Sequence, residues 1–277
     1  MLNALSIDVE DYYQVSAAEE FIRYEDWDNY QSRVENNTRK VLDILEEFNV
    51  KATFFVLGWV AEKFPGLIKE IHSLGHEIAS HGYNHQLIYE QGRFLFREDI
   101  RKSKKILEEI TQSEIIGYRA PSCSITDKSL WALDILAEEG FKYDSSILPA
   151  SHFRYGIPQA KRFIHKIDLS GNSSIVEFPL SAVRMFGTNF AICGGGYLRL
   201  YPLSLVKWGI NRLNREGYQA MVYFHPWEID MEQPRIPLRG KAKFKHYVNL
   251  ATHADKLKRL FSELEFAPIN KVLYLQY

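Results

Sequence analysis

Short runs rich in β-branched and aromatic residues alternate along this chain with segments whose apolar residues recur every three to four positions. That alternation most narrows what the chain can fold into. Runs 4–9, 51–57, 77–80, 115–118, 141–143, 175–178 and 219–224 read as strands. Between the first two, Val34, Thr38, Val41, Leu42, Leu45 and Phe48 mark one face of a helix. Further helices are expected over 60–74, interrupted at Pro65 and stopped by Gly75, over 96–110, from a Thr126 cap to Glu139, and over 202–216 and 244–264. A last strand is expected at 271–275. Strands alternating with helices imply parallel strands covered by helices. About seven such units in 277 residues predict an α/β fold of barrel type, with its chemistry at the C-terminal ends of the strands.

The chain reads as a single domain over 1–277. The pattern falters at about 145–175, where Pro149, Gly156, Pro158 and Gly171 predict a loop and hairpin insertion, and a helical extension is expected over about 240–277. With 34 basic and 35 acidic residues the net charge is −1, and no uninterrupted Lys/Arg run resembles a nucleic-acid arm, so nucleic acid is not expected as a partner. Cys123 and Cys193 form no CxxC pair and read as ordinary thiols. The first residues lack a basic stretch followed by an apolar one. No stretch approaches about 18 apolar residues; 191–210 comes nearest and is broken by Gly194–Gly196, Arg199 and Lys207. A cytoplasmic protein without a transmembrane segment is expected, with peripheral membrane association left open and the oligomeric state unread.

Chemically loaded residues cluster just after the expected strands. Ser6–Asp11 (SIDVED) holds three carboxylates in four positions, which need a cation nearby if they share a dry site. Along a strand Asp8 and Glu10 face one side and Asp11 the other, although a turn after Val9 would bring Asp8 and Asp11 together. His81-Gly-Tyr-Asn-His85 places two imidazoles four apart, converging from a helix face or from a tight turn. Two His and a carboxylate leave coordination positions open for water on a catalytic metal. A similar pair, His72 and His76, reads as surface residues. Tyr118-Arg-Ala-Pro-Ser122 sends Arg119 off a strand end, where it could pair with Asp8. Asp144-Ser-Ser146 offers a partner for Arg119 or His225, or simply a good turn. In Val222-Tyr-Phe-His-Pro-Trp-Glu228, His225 is a candidate general acid and Trp227 a surface for stacking a sugar ring. Gly194-Gly-Gly-Tyr-Leu-Arg199 does not match a phosphate loop and reads as backbone making a close approach near the site mouth.

Together these residues resemble the polysaccharide deacetylase superfamily, the NodB-homology or carbohydrate esterase family 4. The likeness rests on an Asp-bearing first strand, an HxxxH pair, an Arg-x-Pro motif, a later Asp and a terminal His motif, in that order from Asp8 to His225. SIDVEDYYQV, GGGYLRL and YFHPWEID look like the branch associated with bacterial exopolysaccharide clusters. The resemblance implies an irregular seven-stranded (β/α) barrel. It implies Asp8 as catalytic base, His81 and His85 as metal ligands, Arg119 as the group orienting the base and His225 as general acid, with Asp144 a further catalytic candidate. The usual Asp-Asp pair is replaced here by Asp8-Val-Glu10-Asp11, so the third ligand is Glu10 or Asp11, with a slight lean to Glu10. Ser122 stands where the third motif commonly has Tyr. Pro121, Ser122, Tyr197 and Trp227 are the candidate substrate contacts.

The activity so implied is metal-dependent hydrolysis of acetyl groups from N-acetylated hexosamines in a polysaccharide or its precursor. The metal would be Zn2+, with Co2+, Ni2+, Mn2+ or Fe2+ as alternatives. Two other readings compete: a hydrolase of the same fold opening a small cyclic amide or ureide, and an inactive carbohydrate-binding module.

Overall fold

All seven residues of β1 (Asn3–Val9) are buried, which fits a central strand covered on both faces. The computed structural model describes residues 1–152 and 155–274, and β1 lies inside its main sheet, between β2 and β10. On one side β2 (Thr53–Val56), β3 (Glu77–Ser80), β4 (Gly117–Tyr118) and β5 (Tyr143–Asp144) follow in chain order. Beyond β5, β6 (His165–Asp168) and β7 (Ser174–Glu177) form an antiparallel hairpin, and it is β7 that pairs with β5. A separate hairpin joins β8 (Ala182–Met185) to β9 (Thr188–Ala191). On the other side of β1 lies β10 (Met221–Phe224), and β11 (Phe266–Ala267) joins the start of β1. The order β10-β1-β2-β3-β4-β5-β7 thus holds seven parallel strands in a curled half-barrel.

The open side is spanned by backbone rather than by a further strand of that sheet. Met221 N–H donates to Ser181 Oγ at 2.7 Å, Tyr223 N–H to Cys193 O at 3.1 Å, and Gly194 bridges Tyr223 in parallel register. Gly194 lies against the Tyr223 ring so closely that a Cβ there would sit 1.7 Å from Tyr223 Cε1. The glycine run therefore makes the close approach expected of it.

Ten helices are described: α1 (Val34–Glu47), α2 (Gly58–Lys63), α3 (Pro65–Ser73), α4 (Arg93–Thr111), α5 (Trp131–Glu138), α6 (Gly195–Leu200), α7 (Leu203–Arg215), α8 (Gly240–Tyr247), α9 (Leu250–Glu263) and α10 (Ile269–Tyr274). α1 buries Val34, Thr38, Val41, Leu42 and Leu45. Pro65 starts α3 rather than merely interrupting one helix.

Several expectations need correction. Thr126 does not cap α5, which begins five residues later; its N–H bonds Ser129 Oγ in the preceding turn. The helix expected at 244–264 is two helices, parted at Asn249, whose φ is +54°. The last strand expected at 271–275 is instead the helix α10, with Leu275 outside the described residues. The terminal strand is β11, too short for its alternation to stand out. His76 is buried, not at the surface. Its Nδ1 accepts the Ala52 N–H at 3.2 Å, and burial, with Lys51 nearby, lowers its pKa to about 4. Both cysteines are buried free thiols. Among the described residues no helix is long and apolar enough to cross a membrane.

Candidate active site and metal centre

The chemistry gathers where the parallel strands end. Beyond Asp8 the chain turns, Glu10 N–H donating to Asp8 O at 3.1 Å, and both side chains reach one cleft. Asp11 goes elsewhere. Its Oδ2 accepts Ser32 Oγ–H at 2.7 Å and the N–H groups of Arg33 and Val34 at 2.8 and 3.1 Å, fastening the start of α1. The structure therefore brings Glu10, and not Asp11, to the histidines. Asp11 is spent on backbone donors that would otherwise be unmet at a helix N-terminus.

The His81–His85 segment is a turn and not a helix. Gly82 has φ +74° and His85 φ +58°, and Asp99 of α4 accepts the Tyr83 N–H at 2.9 Å to hold the turn. Two imidazoles thereby converge from one strand end. Ligand atoms of Glu10, His81 and His85 lie within 4.8 Å of one another, and all three residues are buried. His81 Nδ1 meets Arg119 O at 2.8 Å, so Nδ1 carries the proton and Nε2 presents a lone pair. Burial lowers the His81 pKa to about 4, keeping the ring neutral. His85 Nε2 stands 2.9 Å from Glu10 Oε2, yet that oxygen has no aligned hydrogen-bond donor. Burial opposes ionisation of Glu10, but His85 and His225 outweigh it and hold the carboxyl at about 2. An orphaned buried carboxylate oxygen beside two imidazoles is a donor set that fits a divalent cation of the zinc type.

Asp8 is fixed from behind by Arg119, which is fully buried. Its Nη1 donates to Asp8 Oδ1 at 2.8 Å and to Ser6 Oγ at 2.6 Å. Nε and Nη2 go to the carbonyl and hydroxyl of Ser145 at 2.9 and 2.8 Å. The guanidinium lies 4.2 Å over the Phe55 ring. Asp144 takes no part in this pairing. Successive side chains at a strand end face opposite ways, so Ser145 meets Arg119, while Asp144 accepts the Ser146 hydroxyl and N–H at 2.6 and 3.1 Å. Asp144 also abuts Glu177, and burial raises both carboxyl pKa values. Neither role expected of Asp144, partner to Arg119 or to His225, is the one it plays.

Across the cleft His225 Nε2 stands 3.6 Å from Glu10 Oε1 and 3.9 Å from Asp8 Oδ2. Its Nδ1 pairs at 3.2 Å with Glu228, a buried carboxylate also met by Arg199 at 3.1 Å and His253 at 3.4 Å. Burial works against a charged His225, but Glu10, Glu228 and Asp8 raise its pKa to about 9. Trp227 borders the cleft, but its ring is largely covered. It is 4% exposed, its ring stacks on His246 at 4.4 Å and on His225 at 5.4 Å, and its Nε1–H donates to Glu10 Oε1 at 3.3 Å. Tyr197 and Ser122 line the cleft, and Ser122 Oγ meets Ser16 Oγ at 2.6 Å. Pro121 is buried in the turn behind Ser122. The cleft has a volume of about 350 Å³.

Residues 22–143 match the family model described as polysaccharide deacetylase. That segment belongs to the polysaccharide deacetylase family. Residues 145–274 match a second model, described as DUF3473, a domain of unknown function. Over 98 residues the chain is 39% identical to a peptidoglycan-N-acetylglucosamine deacetylase of Bacillus cereus, a match covering 35% of this chain and 36% of that protein. It is 33% identical over 100 residues to a chitooligosaccharide deacetylase of Sinorhizobium fredii, covering 36% of this chain and 44% of that one. The chain thus spans less than half the length of these relatives. Among solved structures it is similar to a Mycobacterium smegmatis protein assigned to the polysaccharide deacetylases (TM-score 0.64, 22% identity, 97% of this chain and 87% of that one). It is also similar to Puue allantoinase (TM-score 0.57, 15% identity, 95% and 85%). These two likenesses establish the fold.

The deacetylase segment and the DUF3473 segment build one sheet: β2, β3 and β4 lie in the first, β6, β7 and β10 in the second, and the two meet where Tyr143 of β5 pairs with Val176 of β7. His225, Glu228, Arg199 and Trp227 all lie in the DUF3473 segment. Sequence reasoning passed over Glu228, Arg199, His246, His253 and Ser145. Glu228, three positions after His225, was within reach as the side chain that turns back on the histidine. Arg199 and His253, 29 positions before and 25 after Glu228, carried no local signal.

Proposed function

We propose that this protein is a metal-dependent hydrolase that removes acetyl groups from N-acetylated hexosamine units of a polysaccharide or its precursor. The observation that carries the reading is one cleft holding Glu10, His81 and His85 at ligating distance, with Arg119-held Asp8 and Glu228-held His225 beside them. Glu10, His81 Nε2 and His85 Nε2 would hold the cation, Zn2+ being the ion best suited to two imidazoles and a carboxylate. Such an ion acidifies water and polarises the amide carbonyl.

The remaining work falls to side chains. Arg119 aims Asp8 by its bond to Oδ1, and Asp8 Oδ2, free of the guanidinium, takes a proton from the attacking water. His225 enters charged, because the carboxylates around it hold its proton, and Nε2 gives that proton to the departing nitrogen. Without this donation the sugar amine is a very poor leaving group. Glu228 fixes the ring so that Nε2 faces the cleft.

Acetate release from N-acetylglucosamine oligomers, with metal analysis of the same preparation, tests the reading. His81→Ala should lose both metal and acetate release. Asp8→Asn should keep the metal and lose turnover by roughly 10²–10⁴-fold. Near-normal turnover by Asp8→Asn would remove the base assignment. Ring opening of a small cyclic amide without acetate release would replace the substrate class, and sugar binding by a metal-free protein would replace the enzyme by a binding module.

A further inference from the structure

Helix α8 forms part of the wall of the catalytic cleft, and its charge is one-sided. From Arg235 to Lys245 five of eleven residues are basic and none is acidic, in a chain whose net charge is −1. Their spacing explains why no basic run is visible in the sequence. Lys241 and Lys245 stand one helical turn apart and both line the cleft. Lys63, Lys207 and Lys258 are each paired with a carboxylate, whereas Lys241 has no acidic partner among the described residues. Between the two lysines Phe244 is 58% exposed, and Leu200 of α6, also on the cleft wall, is 44% exposed.

A neutral glycan gives no reason for this. Sugar hydroxyls are read by paired hydrogen-bonding groups, whereas two ammonium groups one turn apart act as point charges suited to phosphate. We propose that the acetamido sugar taken by this cleft carries a phosphate or diphosphate substituent, held by Lys241 and Lys245 while the acetamide lies among Asp8, Glu10 and His225. The exposed Phe244 and Leu200 beside those lysines suit an apolar chain beyond the phosphate. This inference rests on the deacetylase reading of the same cleft and gives the DUF3473 segment a part in recognising substrate as well as in catalysis.

Three substrates separate the sources of the phosphate: a neutral N-acetylglucosamine trimer, a nucleotide-diphosphate N-acetylglucosamine, and a polyprenyl-diphosphate N-acetylglucosamine in neutral detergent. The whole chain should show kcat/KM about tenfold or more higher for the phosphate-bearing substrates than for the trimer. That ratio should collapse in the Lys241→Glu/Lys245→Glu variant and shrink as salt rises, since exposed charges are screened. Phe244→Ser should lower the rate on the polyprenyl substrate alone if the apolar chain is recognised; an equal effect on the nucleotide sugar would assign recognition to the phosphate only. Calorimetric binding of the nucleotide-diphosphate sugar needs no turnover and so remains informative if no acetate is released. Equal affinity in wild type and the double glutamate variant, or equal loss of rate on the neutral and charged substrates, would overturn the proposal.

Discussion

At the scale of single residues, the site is built from buried charges, some fully hydrogen-bonded and some only close to an opposite charge. Arg119 is the clearest case: a fully buried guanidinium whose donors reach Asp8, Ser6 and both oxygens of Ser145. Such a group costs a great deal to bury unless its donors are met, and here β1 and the residue just after β5 supply the four acceptors. Glu228 is a buried charge of the opposite sign on which Arg199, His225 and His253 converge within 3.4 Å, although its Oε1 has no aligned hydrogen-bond donor. Glu228→Gln keeps the shape and removes the charge that orients His225. Turnover should fall at least about tenfold with KM little changed, because the acid would be misaligned in the transition state rather than in substrate binding. Nitrogen NMR of the His225 ring gives a readout independent of activity: Nδ1, carboxylate-paired in the wild type, should shift in the variant. An unshifted Nδ1 together with normal kcat would leave Glu228 a structural residue only.

At the scale of elements, legibility followed the strength of the local pattern. β1, β2, β3 and β10, and helices α1, α4 and α7, stand where apolar periodicity puts them, because each buries a whole face. The two-residue strands β4, β5 and β11 are defined by neighbours in space, so their bounds could not be read locally. The break at Asn249 and the turn at His85 depend on positive φ at non-glycine residues, for which the sequence gives little warning. The catalytic cluster was legible because parallel strands deliver their ends to one place, whereas the choice between Glu10 and Asp11 stayed open in the sequence because both lie past the end of β1, where the chain turns. For Asp144 the turn reading holds, Ser146 two positions on supplying both donors, whereas for Trp227 residue type suggested sugar stacking for a ring whose surroundings were distant in sequence. The element that closes the half-barrel is the Gly194 bridge. Gly194 has extended backbone (φ −163°), so Gly194→Ala meets no conformational penalty, only the Tyr223 ring. It should lower stability by about 1–3 kcal/mol in urea unfolding. Tyr223→Ala in the same chain should recover part of that loss. Full wild-type stability of Gly194→Ala would show that the seam yields freely.

At the scale of the whole molecule, carboxyl groups are sorted by their burial and partners. Glu10 in the cleft and Glu228 behind it are held ionised by the cations beside them. At the opposite end of the strands Glu77 has no such cation among the described residues. Glu77, at the start of β3, accepts hydrogen bonds from Thr53, from Tyr143 at 2.9 Å and from the Asn270 N–H at 3.0 Å, linking β2, β3, β5 and α10. Burial outweighs these donors and raises its pKa from 4.5 to about 7. The folded state therefore binds a proton more tightly than the unfolded chain. Stability from this group is fully present below about pH 4.5 and is lost as pH rises through about 7, where ionised Glu77 becomes a buried charge. A carboxyl raised from 4.5 to about 7 corresponds to about 3 kcal/mol. Glu77→Gln removes the titration while keeping an oxygen for the donors. The wild type should lose about 3 kcal/mol relative to Glu77→Gln between pH 4.5 and 8, measured by urea unfolding at matched ionic strength. The comparison cancels the opposing contributions of Glu10, Glu228 and His225, which are common to both proteins. A difference that stays flat across that range would mean the three donors hold Glu77 ionised, and that this end of the barrel tolerates a buried negative charge as the cleft does.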